Sequence, residues 1–125
     1  LCSSAGHPSP FRLRRKDSTV TLLGFSKDIQ GPGLGLYPGH EFRSLKFHVE
    51  PGDLILLYTD GLSDVMDSQR RFYDTTRMTA CLSENKTKPA AELLKEIMAD
   101  AQKFSGREDF EDDLCLLAVE VQKLG

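Results

Sequence analysis

The stretch DLILLYTDGL, residues 53–62, decides the reading of the chain. Its apolar run through Tyr58 does not alternate, as expected of a strand in the middle of a sheet covered on both sides. The run ends at Thr59-Asp60-Gly61, so a carboxylate stands where a buried strand surfaces. From spacing alone, Asp60 is either the first residue of an Asp-Gly turn or a ligand on a rigid mount.

Immediately upstream, Glu50-Pro51-Gly52 is a turn signal, and residues 42–49, apolar at Phe42, Leu45, Phe47 and Val49, read as the partner strand of a hairpin. Phe11 to Arg15 alternates apolar and basic residues, Lys16-Asp17-Ser18 is a turn, and Thr19 to Leu23 follows as another strand. The chain opens at Leu1-Cys2-Ser3-Ser4 as if already inside a strand, which suggests a fragment. Gly31-Pro32-Gly33-Leu34-Gly35-Leu36 can be neither helix nor regular strand, and without the P-loop Lys-Ser/Thr it is not a nucleotide site.

Downstream the period changes. Phe72, Thr75, Met78, Thr79 and Leu82 are compatible with a short helix. A longer helix follows: Pro89 suits its first turn, Leu93, Leu94, Ile97, Met98, Ala101 and Phe104 make one face, and Gly106 is placed to cap its end. Residues 114–121, LCLLAVEV, read as a final strand. Strands, then two helices, then a strand predict an α+β domain whose mainly antiparallel sheet carries an antiparallel helix pair.

The 125 residues suit one domain or a large piece of one. With 16 Lys and Arg against 19 Asp and Glu, the net charge of -3 gives no global attraction to nucleic acid or anionic lipid. Arg12, Arg14, Arg15 and Lys16 form a basic patch, and residues 108–113 an acidic run; each reads most simply as a solvated loop. Cys2, Cys81 and Cys115 are odd in number and scattered, which fits a reducing, cytoplasmic setting. No apolar run approaches the roughly 20 residues that span a bilayer, so a membrane tether would lie outside these residues.

Asp60 ends one apolar strand and Asp112-Asp113 precede another. If the two are antiparallel neighbours, their carboxylates converge at one sheet edge, where mutual repulsion favours a divalent cation. No loop has the EF-hand pattern of a calcium site. The plainer reading is a turn and a charged loop.

The residues resemble a known family in an ordered set: Ala5-Gly6-His7-Pro8, Gly33-Leu34-Gly35-Leu36, Pro51-Gly52-Asp53 leading into Leu57-Tyr58-Thr59-Asp60-Gly61-Leu62, then Phe104-Ser105-Gly106 and Asp112-Asp113-Leu114-Cys115-Leu116-Leu117. Each motif is weak, but their order over nearly the whole chain is similar to the SpoIIE and RsbU-like branch of the type 2C (PPM) metal-dependent Ser/Thr protein phosphatases. The resemblance implies an α-β-β-α layered sandwich, with residues 1–125 the carboxy-terminal part of the catalytic domain. It implies hydrolysis of phosphoserine or phosphothreonine by a water that two Mn²⁺ or Mg²⁺ ions activate, with Asp60 and Asp112 as metal ligands.

Asp113 and Gly61 are then candidates for supporting those ligands from behind rather than touching the ions. Asp64 is either a weak ligand or, more simply, a solvated charge, and Asp109 and Glu111 read as solvated. The implied substrate is a phosphorylated anti-sigma-factor antagonist of a partner-switching pathway. An upstream sensor or regulatory domain and a dimer are further partners the resemblance suggests. Two departures stand out. The family's amino-terminal Gly-Asp-x-x-Gly-His-Gly motif has no counterpart, because His7 lacks the preceding Asp. Cys115 stands where relatives usually carry Thr or Ser, and reads as a small buried residue without a catalytic role. The missing motif keeps open an alternative, a non-catalytic partner-binding pseudophosphatase or inactive half-domain.

Overall fold

The computed structural model describes residues 1–25 and 29–123. Its strands are β1 (Cys2–Ala5), β2 (Phe11–Arg14), β3 (Thr19–Leu22), β4 (Gln30–Gly31), β5 (Ser44–Leu45), β6 (Leu54–Tyr58) and β7 (Leu116–Glu120). Its helices are α1 (Asp60–Ser63), α2 (Thr75–Glu84) and α3 (Ala90–Ser105), all between β6 and β7. A four-stranded sheet runs β3-β2-β6-β7 with every pair antiparallel. A three-stranded sheet runs β4-β1-β5, where β1 pairs parallel with β4 and antiparallel with β5. The α+β class and mainly antiparallel pairing follow the sequence expectation.

The predicted hairpin of residues 42–49 with residues 53–59 does not form. Only Ser44–Leu45 is a strand, and it pairs with β1. Both edges of β6 are occupied, by β2 at Phe11↔Leu56 and by β7 at Leu56↔Ala118, which leaves no ladder for a third strand. The turn signal itself is real: Gly52 has φ of 89°, and its N–H donates to the Val121 carbonyl at 2.7 Å, directing the chain toward β7.

Alternation along the strands puts Phe11, Leu13, Leu54, Leu56 and Tyr58 on one buried face, where they share a core with Met78, Leu82, Leu93, Ile97 and Ala101 of the helices. The other face is not closed: Ile55 and Leu57 are half-buried, and Leu117 and Val119 are 55% and 47% exposed. The expectation that β6 is covered on both sides is therefore corrected.

The helix limits have local causes. Asp74 precedes α2 and its carboxylate accepts the Arg77 N–H at 3.0 Å, satisfying an otherwise free donor. Pro89 lies just before α3 rather than in its first turn. Gly106 ends that helix in the left-handed conformation, φ 71°, as its position suggests. Tyr73, fully buried, donates to Asp100 Oδ2 at 2.6 Å and so ties the loop before α2 to α3.

The basic patch is not a free solvated loop. Arg12 pairs with buried Asp53 at 2.6 Å, Arg14 pairs with Glu50 and Asp17, and Arg15 donates to the carbonyls of Lys86 and Lys88. Asp53 also accepts the Glu50 N–H at 3.0 Å, which satisfies a charge that burial would otherwise penalise. Among the described residues, no helix is long and apolar enough to cross a membrane.

Candidate active site

The carboxylates sit where β6 ends and β7 begins. Because the pair is antiparallel and Tyr58 faces Leu116, both strand ends lie at one sheet edge. Thr59 fastens that edge three ways: its N–H donates to the Cys115 carbonyl at 3.1 Å, its Oγ1 accepts the Cys115 N–H at 3.0 Å, and its hydroxyl reaches the Asp113 carbonyl at 3.4 Å. The residue before Asp60 and the residues after Asp112 are thus one connected backbone unit.

Asp60 opens the single-turn helix α1, not a plain turn. Its carbonyl accepts the Asp64 N–H at 2.8 Å and the Ser63 hydroxyl at 3.1 Å, so the backbone of Asp60 is fixed while its side chain faces outward. Gly61 is buried, and a Cβ there would lie 2.3 Å from the Asp113 carbonyl oxygen. No side chain fits, which is the physical reason for glycine: the two Asp-bearing segments touch through it. Asp112 and Asp113 are exposed, and Asp112 Oδ1 accepts the Asp113 N–H at 2.8 Å.

The donor chemistry fits a hard divalent ion, because carboxylate oxygens at a rigid sheet end are what Mg²⁺ or Mn²⁺ prefers. Among the described residues, however, no group of three or more His, Cys, Asp or Glu side chains is gathered to hold an ion. The two carboxylates amount to an incomplete donor set. His7 is exposed, well removed in sequence from this edge.

A cleft of about 310 Å³ opens beside the carboxylates. Gly61, Asp64 and Asp112 form its wall toward the strand ends, and Val65, Met66, Phe72 and Phe110 give it an apolar lining. Asp109 and Glu111, expected to be merely solvated, also line it, and Glu111 forms an ion pair with Arg107. The sequence reading missed this cleft because its apolar residues are scattered singly and belong to no periodic face. The one local signal was Met66 and Phe72 flanking the polar turn 67–71.

Cys115 lies just before β7 and is exposed, which corrects the expectation of a small buried residue inside that strand. Its backbone is taken up by Thr59, and its side chain faces out because Leu114 and Leu116 occupy the half-buried positions on either side.

Residues 1–122 match the family of Stage II sporulation protein E (SpoIIE). The chain belongs to the SpoIIE family. Within this kinship, Phosphoserine phosphatase RsbU of Bacillus subtilis is 26% identical over 111 residues, 86% of this chain and 32% of that protein. Protein IcfG of Synechocystis is 27% identical over 82 residues, 66% of this chain and 12% of that protein. The chain thus spans about a third or less of the curated relatives it matches. The fold is that of solved type 2C phosphatase domains. The SiaA-PP2C domain of Pseudomonas aeruginosa aligns with a TM-score of 0.71 at 18% identity, over 91% of this chain and 43% of that one. The structure of the RsbU and RsbW domains of Rv1364c from Mycobacterium tuberculosis aligns at 0.75 and 24% identity, over 96% and 32%.

Proposed function

We propose that this chain is the carboxy-terminal part of the catalytic domain of a metal-dependent protein serine/threonine phosphatase, with Asp60 and Asp112 as metal ligands and Asp113 and Gly61 supporting them. The observation that carries the reading is the contact of Gly61 with the Asp113 carbonyl, which joins the two Asp-bearing segments at one sheet edge. SpoIIE family membership and the phosphoserine phosphatase named among its relatives support it.

Two Mn²⁺ or Mg²⁺ ions bound at the completed site supply Lewis acidity for hydrolysis of a phosphate monoester. In that reaction water adds to phosphorus, the phosphorus–oxygen bond to the serine or threonine breaks, and the free hydroxyl and inorganic phosphate leave. The chain's own part is to hold two carboxylates in place: Thr59 clamps the strand ends, and α1 fixes the Asp60 backbone. The substrate we propose, from the family resemblance, is a phosphorylated anti-sigma-factor antagonist of a partner-switching pathway, with the phosphatase acting in the cytoplasm alongside a sensor or regulatory domain; the relative named as a phosphoserine phosphatase supports a phosphoserine substrate.

The test is Mn²⁺-dependent hydrolysis of a serine phosphopeptide by the whole polypeptide that carries this chain, with Asp60→Asn and Asp112→Asn. Each substitution is expected to lower kcat at least about a hundredfold, while the melting temperature stays near that of the parent. Full activity in either variant overturns the ligand assignment. A parent protein that neither binds Mn²⁺ nor hydrolyses the peptide favours the pseudophosphatase reading.

A further inference from the structure

We infer that the cleft beside Asp112 is a subsite for an apolar side chain of the phosphoprotein substrate, with a basic residue next to it. The inference rests on the phosphatase reading for what the neighbouring carboxylates do, but the recognition itself stands on the cleft. Three observations carry it.

The cleft is continuous with the catalytic edge, since Gly61 and Asp112 belong to its wall. A peptide whose phosphorylated residue reaches Asp60 and Asp112 therefore runs past it. Its volume of about 310 Å³ is enough for one or two side chains, and small enough to select among them.

Its lining is apolar where burial alone does not require it. Met66 is 39% exposed and Phe72 56% exposed, yet the two meet across an isolated β-bridge rather than lying on separate turns. That bridge closes the turn 67–71, which Asp67 braces by accepting the N–H groups of Gln69 at 2.8 Å and Arg71 at 2.9 Å. The apolar pair is thus held in a preset position, the arrangement that lowers the entropic cost of binding. Phe110, packed against the core from the other wall, supplies the facing surface.

The rim is acidic. Asp64, Asp109 and Glu111 line it against Arg107, the one cation among its described lining residues, which Glu111 already neutralises. An unbalanced pair of carboxylates, Asp64 and Asp109, remains to attract a lysine or arginine of the incoming segment. An acidic peptide would be repelled there.

The experiment uses the whole polypeptide and a set of serine phosphopeptides in which one leucine is moved along an alanine–glycine background, with or without an adjacent lysine. Binding is read by fluorescence anisotropy. One leucine register is expected to bind roughly tenfold more tightly than the all-alanine peptide, a preference that Phe72→Ala removes. Phe72 is largely exposed, so the variant folds. Asp109→Asn is expected to erase the added effect of lysine alone. No preferred register, or a preference that Phe72→Ala leaves intact, overturns the subsite. Hydrolysis of a plain aryl phosphate by the parent protein reads the phosphatase assignment separately: its absence, with the leucine preference present, refutes the enzyme and keeps the subsite.

Discussion

The two faces of the four-stranded sheet are made by the same strands, but only one of them is closed. Toward the helices, Phe11, Leu13, Leu54, Leu56 and Tyr58 are buried among Met78, Leu82, Leu93 and Ile97. On the opposite face, Arg12 and Arg14 stand beside Ile55, Leu57, Leu117 and Val119, and the last two are about half exposed. Stability is concentrated on the first face, because burial of apolar area is what stabilises a fold of this size. Asp60 and Asp112, the carboxylates proposed as metal ligands, are exposed at the end of the strands, on a scaffold that the closed face holds rigid.

The comparison breaks most readily through the core. Leu56→Ala is expected to cost about 2–5 kcal/mol in urea denaturation, the range for a buried large-to-small change. Val119→Ala on the open face is expected to change stability by no more than about 0.5 kcal/mol. Equal losses would show that the open face is covered in solution.

Next in size is the junction. Gly61→Ala forces a Cβ to within 2.3 Å of the Asp113 carbonyl. The expected cost is about 1–3 kcal/mol, together with weakened Mn²⁺ binding by calorimetry, since the two Asp segments must separate. Unchanged metal affinity would mean that the contact does not position the carboxylates.

At the end of α3, Gly106→Ala places a Cβ at φ of 71° in otherwise open space. The penalty is then backbone strain alone, about 1 kcal/mol, read as a lower melting temperature with metal binding intact. This separates a stabilising position far from the strand ends from Gly61, which serves both.

The smallest effect depends on pH. First the Arg71 N–H, then the Arg71 guanidinium and the Gln69 N–H hold the Asp67 carboxyl below its ordinary value of 3.8. A depressed folded-state pKa contributes stability that is complete above the unfolded value and lost as pH falls through the folded one. The melting temperature of the parent should therefore exceed that of Asp67→Asn slightly at neutral pH, and the gap should close below about pH 3.8. A gap that persists in acid would show that Asp67 acts through packing instead.

Where local rules govern, the sequence was legible. Gly106 at the end of α3, the apolar stripe of Leu93, Ile97 and Ala101 and the turn at residues 16–18 all follow from periodicity and turn chemistry. Asp60 stands one residue beyond one apolar run and Asp112-Asp113 just ahead of another, which made them candidates, and the structure brings their segments to one edge; their role as metal ligands is a proposal. Pairing was not legible. Phe42 to Val49 is apolar enough for a strand, but which edge it takes depends on what else competes for β6, and β2 and β7 take both.

By itself, the sequence determined the two longer helices, the strands at Phe11–Arg14, Thr19–Leu22, Leu54–Tyr58 and Leu116–Glu120, several turns and which carboxylates flank the buried runs, because these depend on neighbours along the chain. Only the tertiary structure decided that β6 is closed on one face, that the basic patch is taken up by ion pairs and carbonyl hydrogen bonds, that Cys115 is exposed and that Met66, Phe72 and Phe110 line one cleft. Those are properties of surfaces that meet from distant parts of the chain, and a one-dimensional pattern carries no record of which surfaces meet.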